Sequence, residues 1–119
     1  MPITVLVVED EALLRMDIAD QLSDMGFVVL EAANAAFAIR ILAENPDIQV
    51  MFTDVDMPGD MDGLRLAAAV RDRWPPIKII VTSGHRRVGE SDMPDHSRFF
   101  SKPYQAEAIA AAAREMIAA

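Results

Sequence analysis

The sequence predicts an α/β fold: a doubly wound five-stranded parallel sheet with helices on both faces. Three observations predict it. Five short apolar or β-branched runs alternate with segments of helical spacing along a chain of 119 residues. The connections between them are short, which favours right-handed βαβ crossovers. The first run has no polar interruption, as expected of a strand buried on both faces.

Ile3–Val8 is that first strand. Ala12–Met25 sets Leu14, Ile18, Leu22 and Met25 at helical spacing, and Gly26 marks its stop. Val28–Ala32 reads as the second strand. Asn34 can cap a helix running to about Asn45, with Phe37, Ile41 and Leu42 directed inward and Pro46 just past its end. Val50–Thr53 is a third strand that ends at Asp54. The segment from Asp56 to Gly63 is rich in turn residues, and Asp62 can cap a helix from Gly63 to Trp74 that Pro75-Pro76 stops. Ile77–Thr82 and Arg98–Ser101 are the last two strands, and Gln105–Ala118 is an alanine-rich final helix. Between those strands, Gly84, Gly89 and Pro94 sit among polar residues, with only Val88 and Met93 clearly apolar. The alternation calls for a fourth helix there, but the residues predict a short, irregular or mobile one.

The composition, 52% hydrophobic and 25% charged, excludes a disordered chain. The length suits one domain over 1–119 and leaves no room for an output domain. Cysteine is absent, which excludes a disulfide framework and thiolate metal sites and suits a reducing cytoplasm. The amino terminus lacks a basic n-region and turns acidic at Glu9, unlike a secretory signal, and no apolar stretch has the length of a membrane span. A net charge of −8 repels nucleic-acid phosphates, and the one tight basic cluster is His85-Arg86-Arg87.

The chemistry collects at strand ends. Glu9-Asp10-Glu11, Asp54, Thr82-Ser83 and Lys102-Pro103 each follow an apolar run. In an open parallel sheet, ligands bind outside the carboxyl ends of the strands. If the first and third strands are neighbours, Asp10 and Asp54 lie side by side, and two carboxylates ~5 Å apart repel by roughly 3 kcal/mol. A cation relieves that repulsion. Mg²⁺ takes one or two carboxylates and shares phosphate oxygens, and a metal-neutralised carboxylate can attack phosphorus. Thr82 can donate to a phosphoryl oxygen, and Lys102 offers it a compact charge. Each residue alone has an ordinary explanation as a strand end, a helix-dipole acid or a solvated lysine. Their common placement does not.

Val-Leu-Val-Val-Glu-Asp-Glu, Phe-Thr-Asp-Val-Asp-Met-Pro-Gly, Ile-Ile-Val-Thr-Ser-Gly and Phe-Phe-Ser-Lys-Pro-Tyr occur in that order. With them the chain resembles, over essentially its whole length, the receiver domains of two-component response regulators, which implies a flavodoxin-like sheet of order 2-1-3-4-5. The resemblance implies that Asp54 is the phosphoacceptor. It implies that Asp10, with Glu9 beside it, Asp54 and the backbone carbonyl of Asp56 hold Mg²⁺ or Mn²⁺. Thr82 becomes the switch hydroxyl, Phe99 the switch aromatic and Lys102 the phosphoryl-binding cation, its bond to Pro103 cis. Asp56 and Gly84, two residues past the acceptor and past Thr82, flank the path of an attacking water and tune the phosphoryl lifetime. The implied partners are a histidine kinase or phosphotransfer protein and a downstream protein, in the cytoplasm, with the receiver a monomer or weak dimer.

Three departures stand out. The loop after Asp54 is one residue longer than the commonest form, as in receivers of hybrid sensor kinases and some stand-alone ones. The switch aromatic is phenylalanine, and the fourth helix is degraded. A receiver excised from a hybrid kinase is the nearest alternative to a stand-alone one. A phosphohydrolase of the haloacid-dehalogenase type needs a further acidic motif after the lysine, and only Glu107 and Glu115 follow it. A flavodoxin-like cofactor carrier needs a hydroxyl-rich loop where Glu9-Asp10-Glu11 stands.

Overall fold

The computed structural model describes residues 2–58, 61–84 and 88–119. The basic cluster 85–87 and two residues of the loop after Asp54 lie outside them. Five parallel strands, β1 (Thr4–Val8), β2 (Val28–Ala32), β3 (Val50–Asp54), β4 (Lys78–Ser83) and β5 (Arg98–Ser101), form one sheet in the predicted order β2-β1-β3-β4-β5. Four helices, α1 (Ala12–Asp24), α2 (Ala35–Glu44), α3 (Gly63–Arg73) and α4 (Ala106–Ala118), cover its two faces.

The period of two along each strand divides the core. Leu6 and Val8 of β1 turn toward Ala38 and Leu42 of α2 and Leu66 and Val70 of α3. Val5 and Val7 turn the other way, toward Ile18 and Leu22 of α1 and Ile109 and Ala113 of α4. Burial of each such Leu or Ile contributes roughly 1.5–3 kcal/mol, so both faces hold the sheet rigid beneath its carboxyl edge. Capping follows the sequence: Asn34 accepts the Phe37 N–H at 2.9 Å, and Asp62 accepts that of Arg65 at 2.9 Å.

Two side chains expected inside are not. Phe37 is 51% exposed, because the inward stripe of α2 runs through Ala35, Ala38 and Leu42 and leaves Phe37 on the outer side. There it lies under the Arg40 guanidinium, 5.5 Å from the ring centre. Leu14, in the first turn of α1, is 42% exposed, whereas Ile18 and Leu22 further along are buried.

The weak fourth helix is reduced to a single 3-10 turn, Glu90–Asp92. Val88 and Met93 still pack onto the core, so the segment covers the sheet without an amphipathic helix. Arg71 of α3 ties it down, donating to the Asp95 carbonyl at 3.0 Å and to the Pro75 carbonyl at 2.8 Å. The chain therefore carries four α-helices among its described residues rather than five, and the final one begins at Ala106.

Candidate functional site

The register of the sheet sets the site. Val8 pairs with Thr53, Asp54 with Thr82, and Thr82 with Phe100, so β1, β3 and β4 finish in line at one edge. The backbone beyond each strand remains tethered. Glu9 N–H donates to the Ala32 carbonyl at 3.0 Å, Val55 N–H to that of Thr82 at 2.8 Å, and Lys102 N–H to that of Ser83 at 3.0 Å. Those bonds hold Glu9, Asp54 and Lys102 at fixed places on the rim.

Oxygens of Glu9, Asp10 and Asp54 lie within 4.8 Å of one another. Glu9 and Asp54 are only 4% and 3% exposed, while Asp10 is partly open to solvent. Lys102 reaches in from the end of β5, its Nζ 2.9 Å from Asp54 Oδ2 and 3.4 Å from Glu9 Oε1. The other oxygen of Asp54, Oδ1, accepts the Asp56 N–H at 3.0 Å. Glu9 Oε2 accepts the Glu11 N–H at 3.0 Å, and Arg15 donates to the Glu9 carbonyl at 2.8 Å. Asp56 has its carboxylate against Ser83 Oγ, which donates to Oδ2 at 2.6 Å.

Among the described residues, three carboxylates face one ammonium, an excess that a divalent cation would match. Burial pushes the Glu9 carboxyl up to about 7, the Asp54 charge adding to the effect against the Glu11 N–H and the Lys102 charge. For Lys102, burial lowers the pKa, but the hydrogen bond and charge of Asp54 outweigh it, with Glu9 adding, and the net shift is upward. Tyr104 packs edge-on against Phe52, ring centres 5.2 Å apart; burial and the nearby Glu9 raise its phenol to about 12.

The Thr82 hydroxyl is buried at the same edge and has no hydrogen-bond partner among the described residues. A buried hydroxyl left without a partner costs about 1–3 kcal/mol, and an incoming acceptor oxygen would recover it. Gly84 lies beside this residue's strand, where a Cβ would come within 3.4 Å of the Lys102 stem. Phe99 packs, partly buried, on the α2–α3 face of the sheet, and the Lys102–Pro103 bond is cis. Predicted site residues Glu9, Asp10, Asp54, Asp56 and Lys102 thus come together, with Thr82 at the same edge. Phe99 lies one layer behind.

Two residues of the site escaped sequence reasoning. Ser83 was visible only as the neighbour of Thr82. Gly63 seats the first turn of α3 on the end of β3: its N–H donates to the Val55 carbonyl at 3.1 Å, and a Cβ there would overlap the Asp54 carbonyl. The turn-rich stretch before it was the only available signal.

The chain as a whole is matched in known proteins. The chain fits the response regulator receiver domain family over residues 5–114. It belongs to that family. The response regulator receiver protein CpdR of Brucella abortus is 32% identical over 103 residues, covering 84% of this receiver and 84% of CpdR. The sensor kinase CckA of the same organism is 34% identical over 118 residues, 96% of this receiver but 12% of the kinase. A putative NtrX-like response regulator of Rickettsia bellii is 40% identical over 84 residues, and the receiver spans 17% of it. Relative to such longer relatives the chain is a small part. Among solved structures, a response regulator receiver protein from Sinorhizobium medicae superposes with a TM-score of 0.91 at 28% identity, covering 99% of this chain and 96% of its own. The fold and the family are those read from the sequence, and the domain is a signalling module of two-component systems.

Proposed function

We propose that Asp54 accepts a phosphoryl group from a phosphohistidine on a histidine kinase or phosphotransfer protein, in a reaction that requires Mg²⁺. One observation carries this reading: a nearly buried Asp54 carboxylate, paired with Lys102 and clustered with Glu9 and Asp10, at the same edge as a Thr82 hydroxyl that has no partner among the described residues. The donor set suits a hard cation that binds oxygen. Asp10 and Asp54 would hold it with Glu9 alongside and the Asp56 carbonyl completing the protein's ligands. When bound, the cation supplies charge neutralisation for the carboxylates and the phosphoryl oxygens.

The chain's own residues do the rest. An Asp54 oxygen forms the new bond to phosphorus as the donor's P–N bond breaks, its electron pair returning to the imidazole nitrogen. Lys102, already hydrogen-bonded to Asp54, stays beside the acceptor and pairs with a phosphoryl oxygen. Thr82 donates its unused hydroxyl to another. That new bond draws on β4, and Phe99, Val88 and Met93 respond on the α2–α3 side. Asp56 and Gly84 flank the approach of the water that later ends the state. The signal leaves by binding of a downstream protein or by onward phosphorelay. Likeness to CpdR supports a regulator of this size; likeness to CckA supports the same module within a larger kinase. We place the protein in the cytoplasm as a monomer or weak dimer, in keeping with described helices none of which is long and apolar enough to cross a membrane.

Mass spectrometry after incubation with acetyl phosphate and Mg²⁺ tests the reading. The expected product is a single, labile phosphoryl adduct that disappears in Asp54→Asn. Steady hydrolysis of phosphomonoesters, or an adduct that persists in Asp54→Asn, overturns it.

A further inference from the structure

We infer that Ser83 is a positioning residue for the phosphoryl-transfer step, setting the Asp54 carboxylate through two arms, one of which is the Asp56 side chain. The inference rests on Asp54 being the acceptor. Ser83 ends β4 and is 2% exposed. Its hydroxyl donates to Asp56 Oδ2 at 2.6 Å, a short bond to a charged acceptor and so a strong one. Asp56 in turn donates its N–H to Asp54 Oδ1 at 3.0 Å. The carbonyl of the same serine accepts the Lys102 N–H at 3.0 Å, and Lys102 Nζ donates to Asp54 Oδ2 at 2.9 Å. Each oxygen of the acceptor is therefore gripped by a residue that is itself anchored on Ser83.

The two arms differ in what can remove them. The carbonyl arm is backbone and survives any side-chain change. The hydroxyl arm depends on one oxygen. Asp56 lies two residues past Asp54, in a turn-rich loop. The serine bond fixes its carboxylate against β4 and keeps the Asp56 N–H aimed at Oδ1. An attacking oxygen must line up with the breaking bond, so a drift of the carboxylate slows the step without changing how the donor is recognised.

The test compares wild type, Ser83→Ala, Asp56→Ala and the double variant in acetyl phosphate and Mg²⁺. It reads the maximal rate of adduct formation and the donor concentration at half-maximal rate. Each single change is expected to slow the maximal rate about tenfold and to shift half-saturation by less than about twofold. The double variant is expected to lose about tenfold as well, not about a hundredfold, because both changes remove one shared bond. Singles within about twofold of wild type, or losses that multiply in the double variant, overturn the inference. If Ser83→Ala does not fold, Asp56→Asn replaces it. An amide oxygen still accepts from Ser83, so Asp56→Asn keeps most of the rate that Asp56→Ala loses, and equal losses refute the idea. A wild-type protein that forms no Asp54-dependent adduct would instead remove the acceptor reading itself, and this inference with it.

Discussion

Replacing Glu9 with glutamine should stabilise the metal-free protein at alkaline pH and do so progressively less as pH falls. The cause is a carboxylate buried beside Asp54, its pKa raised from 4.5 to about 7. Between those values the unfolded chain has lost the Glu9 proton and the folded chain still holds it. Stability therefore falls as pH rises through the window. The shift of about 2.5 units corresponds to about 3 kcal/mol at full ionisation, of which about 2 kcal/mol falls between about pH 5.5 and about pH 8. Glutamine carries no such penalty. It also exchanges one acceptor oxygen for an amide, weakening the contact with Lys102 at 3.4 Å or that with the Glu11 N–H. That loss does not depend on pH, so the difference between the two pH values isolates the charge. Urea or thermal unfolding with a chelator present should show Glu9→Gln gaining about 2 kcal/mol over wild type on going from about pH 5.5 to about pH 8, about 8 °C in midpoint. Saturating Mg²⁺ should remove the wild type's disadvantage by holding Glu9 ionised at no cost. A stability difference flat across pH, within about 0.5 kcal/mol, would refute the claim that Glu9 is desolvated in the free protein.

Other perturbations follow from the same geometry. Gly63→Ala drives a methyl into the Asp54 carbonyl, and backbone lies on both sides, so a loss of about 3 kcal/mol in chemical unfolding is expected, with adduct formation impaired in what remains folded. An unchanged unfolding midpoint would show that α3 is seated elsewhere. Lys102→Ala leaves two buried carboxylates without their cation, costing about 2 kcal/mol near neutral pH and slowing adduct formation at least about tenfold. Retention of both properties would contradict the ion-pair geometry. Tyr104 is the only tyrosine in the chain, so phenolate absorbance reports it alone. Its midpoint should lie near 12, and the stability it confers should be intact below pH 10 and lost as pH rises toward 12. Titration at the ordinary value in the folded protein would place the ring in solvent.

What the sequence made legible was whatever depends on local pattern. Each strand that ends at the site is an apolar run, mostly buried in β1, β3 and β4 and half-buried in β5, so its last apolar residue marked the sheet edge. The acids, hydroxyl and lysine one or two residues beyond were then fixed by chain order alone. The lack of a fourth α-helix among the described residues was legible for the converse reason: with Val88 and Met93 as its only clearly apolar residues, the segment had no stripe to lay on the sheet. Side-chain direction is a different kind of information. Phe37 is as apolar as Leu42, yet α2 rests on Ala35 and Ala38, whose small size lets the helix approach the sheet and turns the ring outward. Nothing in the local period distinguishes the two outcomes.

Glu9 shows where the boundary lies for the site. In sequence it is one of three consecutive acids, and Asp10 has an equal claim to the cation. The structure separates them by burial: β1 is tethered one residue past its last paired position by the Glu9 N–H, which pulls that carboxylate under the rim against Lys102 and leaves Asp10 on the open side. The free protein thus carries a partly self-neutralised pocket in which one acid is disfavoured as an anion and one hydroxyl lacks a partner among the described residues. A bound cation would relieve the first and a phosphoryl group the second. On the proposed reading the two would also attract each other by opposite charge, and that attraction would couple them. It predicts that Mg²⁺ affinity rises on phosphorylation by the same factor by which Mg²⁺ stabilises the phosphorylated form.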